Sequence, residues 1–347
     1  MKKRVLSGIR ATGRLHLGNL LGAVEGMIAL QNDHAYETLY MVADAHAVTT
    51  PYNVEDLRKN RREVIIDYLA AGLDPEKSVL FLQSDVPQHM ELSYYLSSVV
   101  TIAKMQHLPT FKEKVKQYPE HATMALLNYP VLMTADILLY KAGLVPVGID
   151  QEPHLEVARE IARRMNDLYG TDFPEPVRFK TTGEYIPSLT GEGKMSKSVE
   201  GSYINLTDDL ETITSKIAKI PTDSGRGTIK EYEKSPLTES KISKYVNEHS
   251  QEAIGVATLM LFIELFIGKE RVEELNRQYE STGIRYGDVK KELAEAIYKR
   301  LVPVQEKRKE LEANEDYVNT IIAQGAATAQ AIAKETMREV REKMGLL

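Results

Sequence analysis

A pair of lysines stands in the pentapeptide Lys194 to Ser198 (Lys-Met-Ser-Lys-Ser), directly after Thr190–Gly193, a segment that contains two glycines. Lysine side chains on such a segment suit transient neutralisation of the negative charge that develops on a leaving polyphosphate. The simpler interpretation of an isolated Lys-x-x-Lys is a basic surface loop. The pair therefore indicates phosphate chemistry only if a second motif of the same kind accompanies it.

A second motif lies near the start of the chain. Residues 7–19 (Ser-Gly-Ile-Arg-Ala-Thr-Gly-Arg-Leu-His-Leu-Gly-Asn) leave a short apolar run and are predicted to enter a helix at about residue 19. Gly8 and Gly13 allow a tight turn, and Gly18 allows another group to approach the backbone closely. Free amides at the start of a helix favour an anion. The motif is not a P-loop, because Arg14-Leu15 stands where Lys-Ser/Thr would be required.

A single carboxylate interrupts an otherwise apolar helix. Residues 129–136 begin a predicted helix with Pro130 in its first turn. Tyr129, Met133 and Asp136 are spaced i, i+4 and i+7, so they can share one face. Burying Asp136 is unfavourable unless it accepts a hydrogen bond, and an indole N–H is a donor-only group that would supply one. The thioether of Met133 suits a flat bicyclic ring. The alternative is that Asp136 only caps or pairs structurally.

Short apolar runs alternate with helical patterns in the first half of the chain. Four runs predict buried strands, at residues 5–7, 38–42, 79–83 and 144–147. The predicted helices among them cover residues 19–31, 54–71 and 152–168. This alternation predicts a doubly wound parallel sheet, with the ligand beyond the carboxyl ends of its strands. After about Thr207 the patterns are helical throughout, at 208–220, 253–266, 272–279 and 288–344, with a loop at 221–236.

Composition excludes several classes of protein. The 347 residues contain no cysteine, which removes disulfides, thiolate metal sites and cysteine nucleophiles. No apolar stretch approaches the ~20 residues of a membrane span, and the basic start breaks at Ser7-Gly8, too early for a signal peptide. The net charge of −6 argues against a non-specific nucleic-acid coat protein but allows a local RNA-binding face. We therefore expect a cytoplasmic protein with no membrane and no DNA partner.

Several histidines stand outside these motifs. They have no spacing typical of metal ligands, and we interpret them as surface or packing residues: His89, His107, His121 and His154.

Taken together, the two motifs resemble the "KMSKS" and "HIGH" motifs of class I aminoacyl-tRNA synthetases. Lys194 to Ser198 matches the first letter for letter. The second keeps His16 and Gly18, with Leu17 for isoleucine and Asn19 for the second histidine, a substitution familiar in the tryptophan branch. The resemblance to bacterial tryptophanyl-tRNA synthetases covers essentially the whole chain, through residues 44–47, 111–114, 135–138 and 145–151.

The resemblance implies roles for individual residues. Three lysines would converge on the triphosphate as catalytic residues, namely Lys114, Lys194 and Lys197. The implied ATP-binding residues are Arg10, Thr12, His16, Gly18, Asn19, Gly148, Asp150, Ile186, Lys194, Met195, Ser196, Lys197 and Ser198. The implied tryptophan-binding residues are Gly8, His46, Met133, Asp136, Val145, Val147 and Gln151. Gln151 would face the α-amino end, and Arg10 departs from the glutamine of many relatives, which leaves its role open.

The resemblance also implies an activity and an architecture. The activity is a tryptophan–tRNA ligase that uses ATP with Mg²⁺ carried by the nucleotide, so that the protein itself fixes no metal. The implied partners are L-tryptophan, tRNA(Trp) and a second copy in a homodimer. The implied domains are a Rossmann-like catalytic domain, 1–206, with a dimer-forming helical insertion at about 80–140, and a helical anticodon-binding domain, 207–347. The last helix would pack back on the catalytic domain.

Two surfaces follow from this architecture. An apolar surface is predicted in residues 80–100, formed by Leu92, Tyr94, Tyr95, Leu96, Val99 and Val100. By resemblance it would be a two-fold dimer interface. Candidate phosphate contacts on the helical lobe are Lys290, Lys291, Lys299 and Arg300, although a solvated helix face is the simpler interpretation of each.

Three alternatives remain open. A tyrosine-specific synthetase would share the fold, but such relatives carry glutamine where Met133 stands. A catalytically inactive homologue that binds RNA would need neither Lys194 to Ser198 nor Asp136. A nucleotidyltransferase of the same superfamily would lack the long helical lobe after Thr207.

Overall fold

Parallel strands form the centre of the fold. The computed structural model describes residues 2–180, 186–191, 193–197, 199–227 and 250–347. Within them, five strands form one parallel sheet in the order β3-β2-β1-β4-β5. The strands are β1 (Lys3–Arg10), β2 (Tyr36–Ala43), β3 (Ser78–Leu82), β4 (Leu144–Pro146) and β5 (Val177–Phe179). The strand order reverses at β1, between β2 and β4, which is where open sheets of this type bind ligands.

The four predicted strands are confirmed, whereas β5 was not predicted. It has only three residues, and Val177 is exposed, so the segment lacks the continuous apolar run of a buried parallel strand. Its place in the sheet comes from pairing with β4, in which Leu144 lies opposite Val177. That pairing joins segments that are distant in sequence.

Helices connect the strands and make up most of the second half of the described chain. They are α1 (Leu17–Asn19), α2 (Glu25–Gln31), α3 (Val54–Ala71), α4 (Gln88–Leu96), α5 (Ile102–His107), α6 (Pro109–Gln117), α7 (Met124–Leu139), α8 (Glu152–Tyr169), α9 (Leu210–Ala218), α10 (Gln251–Phe266), α11 (Lys269–Tyr279), α12 (Tyr286–Ala313) and α13 (Glu315–Lys343). None of these helices combines the length and the apolar character that crossing a bilayer requires. The predicted loop at 221–236 lies outside the described residues from position 228 onwards.

Two helical predictions need correction. The first predicted helix starts earlier than residue 19, because His16 caps it, and a π-helical segment (Leu20–Val24) joins α1 to α2. The predicted helix at 288–344 is two helices, α12 and α13. Asn314 separates them, since its non-helical backbone (φ −117°) lets its side chain accept a hydrogen bond from the Tyr317 amide and cap α13.

The last helix, α13, packs along β3. The contact is close at Gly325, where a Cβ atom would lie 1.7 Å from the carbonyl oxygen of Leu80. Any larger residue at position 325 would separate helix and strand. Gln330 adds a hydrogen bond from its Nε2 to the carbonyl oxygen of Asp85 at 2.6 Å.

The predicted apolar surface of residues 80–100 is wrong for three of its members. Leu92, Leu96 and Val99 are buried in the hydrophobic core, because α4 packs against α7. Tyr94, on the other face of α4, is 77% exposed. The exposed large apolar side chains within residues 80–100 are Met90 and Tyr94, and Ile102 in α5 and Met124 in α7 are exposed as well.

The chain divides into two compact units. The sheet unit comprises Met1–Arg14, Val24–Thr181 and Glu310–Leu347, and the helical unit comprises Leu15–Ala23 and Thr182–Lys309. This division differs from the predicted domains 1–206 and 207–347, since it groups residues 15–23 and 182–206 with the helical unit. It also groups α13 with the sheet.

Candidate active site

A cavity of about 450 Å³ lies in the sheet unit at the carboxyl ends of β1 and β4. Its volume falls within the range of roughly 300–1,000 Å³ that is usual for small-molecule sites. The strand ends contribute Gly8, Met41 and Val145, and α7 contributes one wall. Gly8 must be glycine, because a Cβ atom there would lie 2.7 Å from the Met41 side chain.

Ten of the residues predicted from the sequence line this cavity. They are Gly8, Arg10, His46, Lys114, Met133, Asp136, Val145, Val147, Asp150 and Gln151. Thr12 and Gly148 are not among the lining residues, although Gly148 directly precedes the turn Ile149–Gln151. The structure thus brings the predicted tryptophan-binding residues together and places part of the predicted ATP-binding set beside them.

Asp136 lies at a buried point of the cavity wall, with 1% of its surface exposed. Its Oδ1 accepts hydrogen bonds from Gln83 Nε2 at 2.8 Å and from His89 Nδ1 at 2.6 Å, and its Oδ2 accepts one from His46 Nε2 at 2.8 Å. Burial acts to raise the pKa of Asp136, but the hydrogen bonds and charges of His46 and His89 outweigh it and hold this pKa well below its usual value. Asp136 is therefore an ionised carboxylate that only accepts hydrogen bonds.

The neighbours of Asp136 fix its orientation. Gln83 is fully buried, and its Oε1 accepts from the backbone amides of Ala45 and His46 while its Nε2 donates to Asp136. His89 donates to Asp136 through Nδ1, and its Nε2 is hydrogen-bonded to the Tyr140 hydroxyl at 2.8 Å. An ionised carboxylate offers about four lone-pair positions, of which these protein donors use three. One position on Oδ2 remains for a ligand.

Sequence analysis missed Gln83 and His89 as site residues. His89 was interpreted as a surface or packing residue, yet it is fully buried and bonded to Asp136. One signal could have found both. Gln83 directly follows β3 and His89 lies in the first turns of the next helix, at the sheet edge where ligands of doubly wound folds bind.

A second hydrogen-bonded group lies on the same cavity, around His154. Its Nδ1 is 2.9 Å from Gln151 Oε1, and its Nε2 is 2.8 Å from Thr110 Oγ1 and 2.5 Å from the Tyr129 hydroxyl. Gln151 Nε2 donates to Asp150 Oδ2 at 2.7 Å. Burial lowers the pKa of His154 to about 4, with the charge of Asp150 opposing the shift. Its interpretation as a surface or packing residue was thus also incomplete.

Two cations border the cavity. Arg10 Nη2 donates to the carbonyl oxygen of His46 at 3.0 Å and to Thr50 Oγ1 at 3.2 Å. Arg10 Nε is buried and has no hydrogen-bond partner among the described residues. Lys114 donates to Gln117, and burial together with the nearby charge of Arg10 lowers the pKa of Lys114. The cavity therefore combines an acceptor-only carboxylate with positive charge suited to an anion.

The remaining predicted residues meet within the helical unit. The His16 side chain accepts from the Asn19 amide through Nδ1 while Asn19 Oδ1 accepts from the His16 amide, which forms a capping box. The Gly18 amide donates to Met195 Sδ at 3.2 Å. A Cβ atom at Gly18 would lie 3.2 Å from Met195 Cβ, so the predicted close approach to Gly18 is confirmed. The approaching group belongs to the lysine pentapeptide.

Burial and the neighbouring lysines determine the protonation state of His16. Burial, and next the positive charges of Lys197 and Lys194, lower the pKa of His16 to about 3. His16 is thus neutral near pH 7, and because Nδ1 accepts a hydrogen bond, its proton lies on Nε2. The Met195 amide donates to the Ile186 carbonyl at 2.9 Å, which anchors the pentapeptide beside Ile186. Ser198 lies outside the described residues.

Comparison with known proteins decides the family. A sequence model of the tRNA synthetases class I (W and Y) matches residues 1–302, well over half of the chain. The chain belongs to the class I tRNA synthetases (W and Y). The tryptophan–tRNA ligase of Caldanaerobacter subterraneus is 40% identical to this synthetase over 350 residues. The alignment covers 99% of each chain. That of Porphyromonas gingivalis is 37% identical over 344 residues, which cover 98% of each chain.

A solved structure supports the same family. Tryptophanyl-tRNA synthetase from Campylobacter jejuni, complexed with ADP and tryptophan, matches this class I synthetase with a TM-score of 0.81 at 32% identity, covering 99% of this chain and 100% of that one. The predicted family, the predicted aminoacyl-tRNA ligase class and the predicted Rossmann-like fold with a helical C-terminal region are confirmed. The roles of individual residues stay predictions.

Proposed function

We propose that this synthetase is a tryptophan–tRNA ligase that activates L-tryptophan with ATP and transfers it to tRNA(Trp). The observation that carries the choice of amino acid is the free acceptor position on Asp136 Oδ2, set in a cavity with apolar walls that include Met133, Val145 and Val147. An indole ring fits apolar walls, and its N–H can only donate. The similar proteins named above support the same substrate.

The proposed reaction needs no side-chain nucleophile. A carboxylate oxygen of tryptophan attacks the α-phosphorus of ATP, the bond to the β-phosphate breaks, and pyrophosphate leaves. The 2′- or 3′-hydroxyl of the terminal tRNA adenosine then attacks the carbonyl carbon of the adenylate and releases AMP. The protein contributes positioning and charge stabilisation.

Two pairs of cationic side chains have different roles in the proposed reaction. Arg10 and Lys114 line the cavity, where the amino-acid carboxylate meets the α-phosphate. The unpartnered Arg10 Nε–H is suited to one of these anions. Lys194 and Lys197 would neutralise the pyrophosphate as it leaves, and the neutral His16 offers an Nε2–H donor close to both lysines.

Magnesium enters the proposal only with the nucleotide. The described residues contain no group of three or more histidine, aspartate or glutamate side chains that could hold a metal ion. In the proposal, Mg²⁺ is bound mainly by the phosphates of ATP, as is usual for this ion. Bound there, it would neutralise part of the triphosphate charge.

A pyrophosphate-exchange assay tests the choice of substrate. ATP–pyrophosphate exchange is measured with each proteinogenic amino acid in turn. We expect exchange with tryptophan, and with tyrosine at least roughly 100-fold less, because apolar walls with a donor-specific site discriminate strongly. Exchange with tyrosine at a comparable rate would favour the tyrosine-specific alternative. Folded protein with no exchange for any amino acid would favour the inactive RNA-binding homologue.

We further propose a homodimer that joins through the helical insertion. Tyr94, Met124 and Ile102 are 77%, 71% and 62% exposed, and this proposal assigns them to an apolar interface. Light scattering at micromolar concentration should give twice the 39.1 kDa chain mass. Tyr94→Glu should reduce the mass to one chain without unfolding it. The buried Leu96 is not suited to this test, since a charge there would disrupt the core.

Binding of tRNA is proposed for the helical unit, with one change to the candidate residues. Lys290 donates to the carbonyl oxygens of Ala218 and Ile220 at 3.1 Å and 2.6 Å, so it closes the end of α9 and is not a candidate for phosphate. Lys291, Lys299 and Arg300 are exposed and remain candidates. Charge reversal at these three positions should raise the KM for tRNA while leaving pyrophosphate exchange unchanged. An unchanged KM would exclude this face.

A further inference from the structure

His154 lies in the first turn of α8, where it connects two cavity-lining side chains. It is 2% exposed, and it bonds to Gln151 on one side of its ring and to Thr110 and Tyr129 on the other. Tyr129 and Gln151 line the cavity. The ring therefore controls the hydrogen-bonding state of two groups that a ligand in the cavity would meet.

The direction of each hydrogen bond follows from its partners. Gln151 Nε2 donates to the carboxylate of Asp150, which only accepts, so the amide orientation is fixed and Gln151 Oε1 faces His154. Since Oε1 only accepts, His154 Nδ1 carries the proton and donates. The lowered pKa keeps the ring neutral, so Nε2 has one lone pair and accepts. Its donor is either the Thr110 hydroxyl, which in turn accepts from Tyr129, or the Tyr129 hydroxyl itself.

The consequence concerns what remains for a ligand. The Tyr129 hydroxyl has given its only hydrogen to Thr110 or His154, so it can offer a ligand only lone pairs. Gln151 Oε1 retains a second lone pair, and Nε2 donates one hydrogen to Asp150, which holds the amide in this orientation. Tyr129 thus presents acceptors and no donor, and Gln151 presents its oxygen on the side of His154. The ligand group that matches them carries several hydrogens, no acceptor and a positive charge, which describes a primary ammonium group.

We propose that His154 is a positioning residue which orients Tyr129 and Gln151 as paired acceptors for the α-ammonium group of the amino-acid substrate. This inference rests on the proposed function, since it assumes that the cavity binds an amino acid. It adds a specificity: ligands with a free ammonium bind, and ligands without one gain nothing from this side of the cavity.

Two ligands separate this role from a merely structural one. L-tryptophan and 3-indolepropionate share the indole and the carboxylate, but only the first has an ammonium group. The chain contains no tryptophan, so indole fluorescence in a titration comes from the ligand alone. His154→Leu removes both ring hydrogen bonds, His154→Asn keeps an N–H close to the Nδ1 position, and His154→Gln keeps an acceptor close to the Nε2 position.

We expect His154→Leu to weaken L-tryptophan binding by roughly 10–100-fold, with 3-indolepropionate changed by less than about threefold. His154→Asn and His154→Gln should each restore part of the affinity for L-tryptophan only. In pyrophosphate exchange, the KM for tryptophan should rise while the KM for ATP and kcat stay nearly constant. Circular dichroism and thermal unfolding establish that each variant is folded.

Three other outcomes would contradict the proposal. Equal weakening of both ligands in all three folded variants would mean that His154 only supports the cavity, and unchanged binding of L-tryptophan would mean that it does not act on the ammonium site. Wild-type protein that binds neither indole ligand would instead contradict the proposed function. If His154→Leu does not fold, the Asn and Gln variants decide the question by the same ligand ratio.

Discussion

Replacing Asp136 by asparagine tests recognition of the indole N–H without changing the size of the side chain. In the wild-type chain, Oδ1 accepts from Gln83 and His89, whereas Oδ2 accepts from His46 and, in our proposal, from the substrate. Asparagine has one carbonyl oxygen and one NH₂ group. The oxygen is expected at the Oδ1 position, where it keeps the two donors Gln83 and His89. The NH₂ group then faces the His46 ring and the indole.

The expected loss follows from this arrangement. The indole N–H loses a hydrogen bond to a charged acceptor and meets another donor in a buried place, which is unfavourable by about 2–4 kcal/mol. That range corresponds to a fall in kcat/KM for tryptophan of roughly 30–1,000-fold. The KM for ATP should barely change, because the hydrogen-bond partners of Asp136 given above are not residues predicted to bind ATP.

The assay compares two substrates that differ at one atom. Pyrophosphate exchange is measured with tryptophan and with β-(3-benzothienyl)alanine, in which sulfur replaces the N–H. Wild-type protein should prefer tryptophan by about the amount lost in the variant, and Asp136→Asn should lose the preference, as a double-mutant cycle requires for a direct contact. Asp167→Asn, an exposed position on α8, is the matched control and should behave as wild type.

Two results would refute the assignment. If folded Asp136→Asn activates tryptophan within about threefold of wild type, the carboxylate contributes little to transition-state binding. If the variant loses activity but keeps the preference for tryptophan over the sulfur analogue, Asp136 supports the cavity and does not contact the indole nitrogen.

Three further predictions concern other parts of the molecule. Lys194→Ala and Lys197→Ala should each slow single-turnover adenylate formation by roughly 100–1,000-fold while changing ATP affinity little, with the exposed Lys269→Ala as control; weak ATP binding with a normal rate at saturation would contradict a transition-state role. Tyr94→Glu should lower aminoacylation together with the mass measured by light scattering, and a fully active monomer would exclude a need for the dimer. Because His154 has a pKa of about 4 in the folded chain against 6.5 ordinarily, the unfolded chain binds its proton first, and stability falls as pH drops from 6.5 towards 4. His154→Gln should reduce that fall, measured by urea unfolding, by up to about 3 kcal/mol, and an identical pH dependence would show that His154 does not titrate in this way.

Local signals explain what the sequence could predict. The helix Val54–Ala71 was predicted with its observed bounds, because Asn53 caps its start and Gly72, with a left-handed backbone, ends it. The four predicted strands are buried apolar runs, and such runs can be recognised without knowledge of the rest of the chain.

Long-range contacts explain what the sequence could not predict. Gln83 and His89 join Asp136 across 53 and 47 residues, and neither stands in a pattern that names its partner. The burial of Leu96 depends on which face of α4 packs against α7. The sequence pattern of an apolar residue is the same in a core and at an interface, so the pattern does not distinguish the two. Local sequence patterns therefore predict strands, caps and motifs. They do not predict which distant side chains set the protonation state and the hydrogen-bond direction of the functional groups.

The polarity of the cavity limits what can bind there. Asp136 presents only acceptors, and in our proposal Tyr129 and Gln151 Oε1 present further acceptors. Arg10, a cation on the cavity wall, offers an Nε–H donor that has no hydrogen-bond partner among the described residues. A ligand that satisfies all of them needs two separate donor groups and one anionic group. Phenylalanine lacks the side-chain donor, and the phenol of tyrosine brings an acceptor oxygen for which the donors around Asp136 leave no partner, since Gln83, His89 and His46 are already engaged. Tryptophan meets each requirement, and this match of donors and acceptors is a reason for its selection that is independent of any resemblance to other proteins.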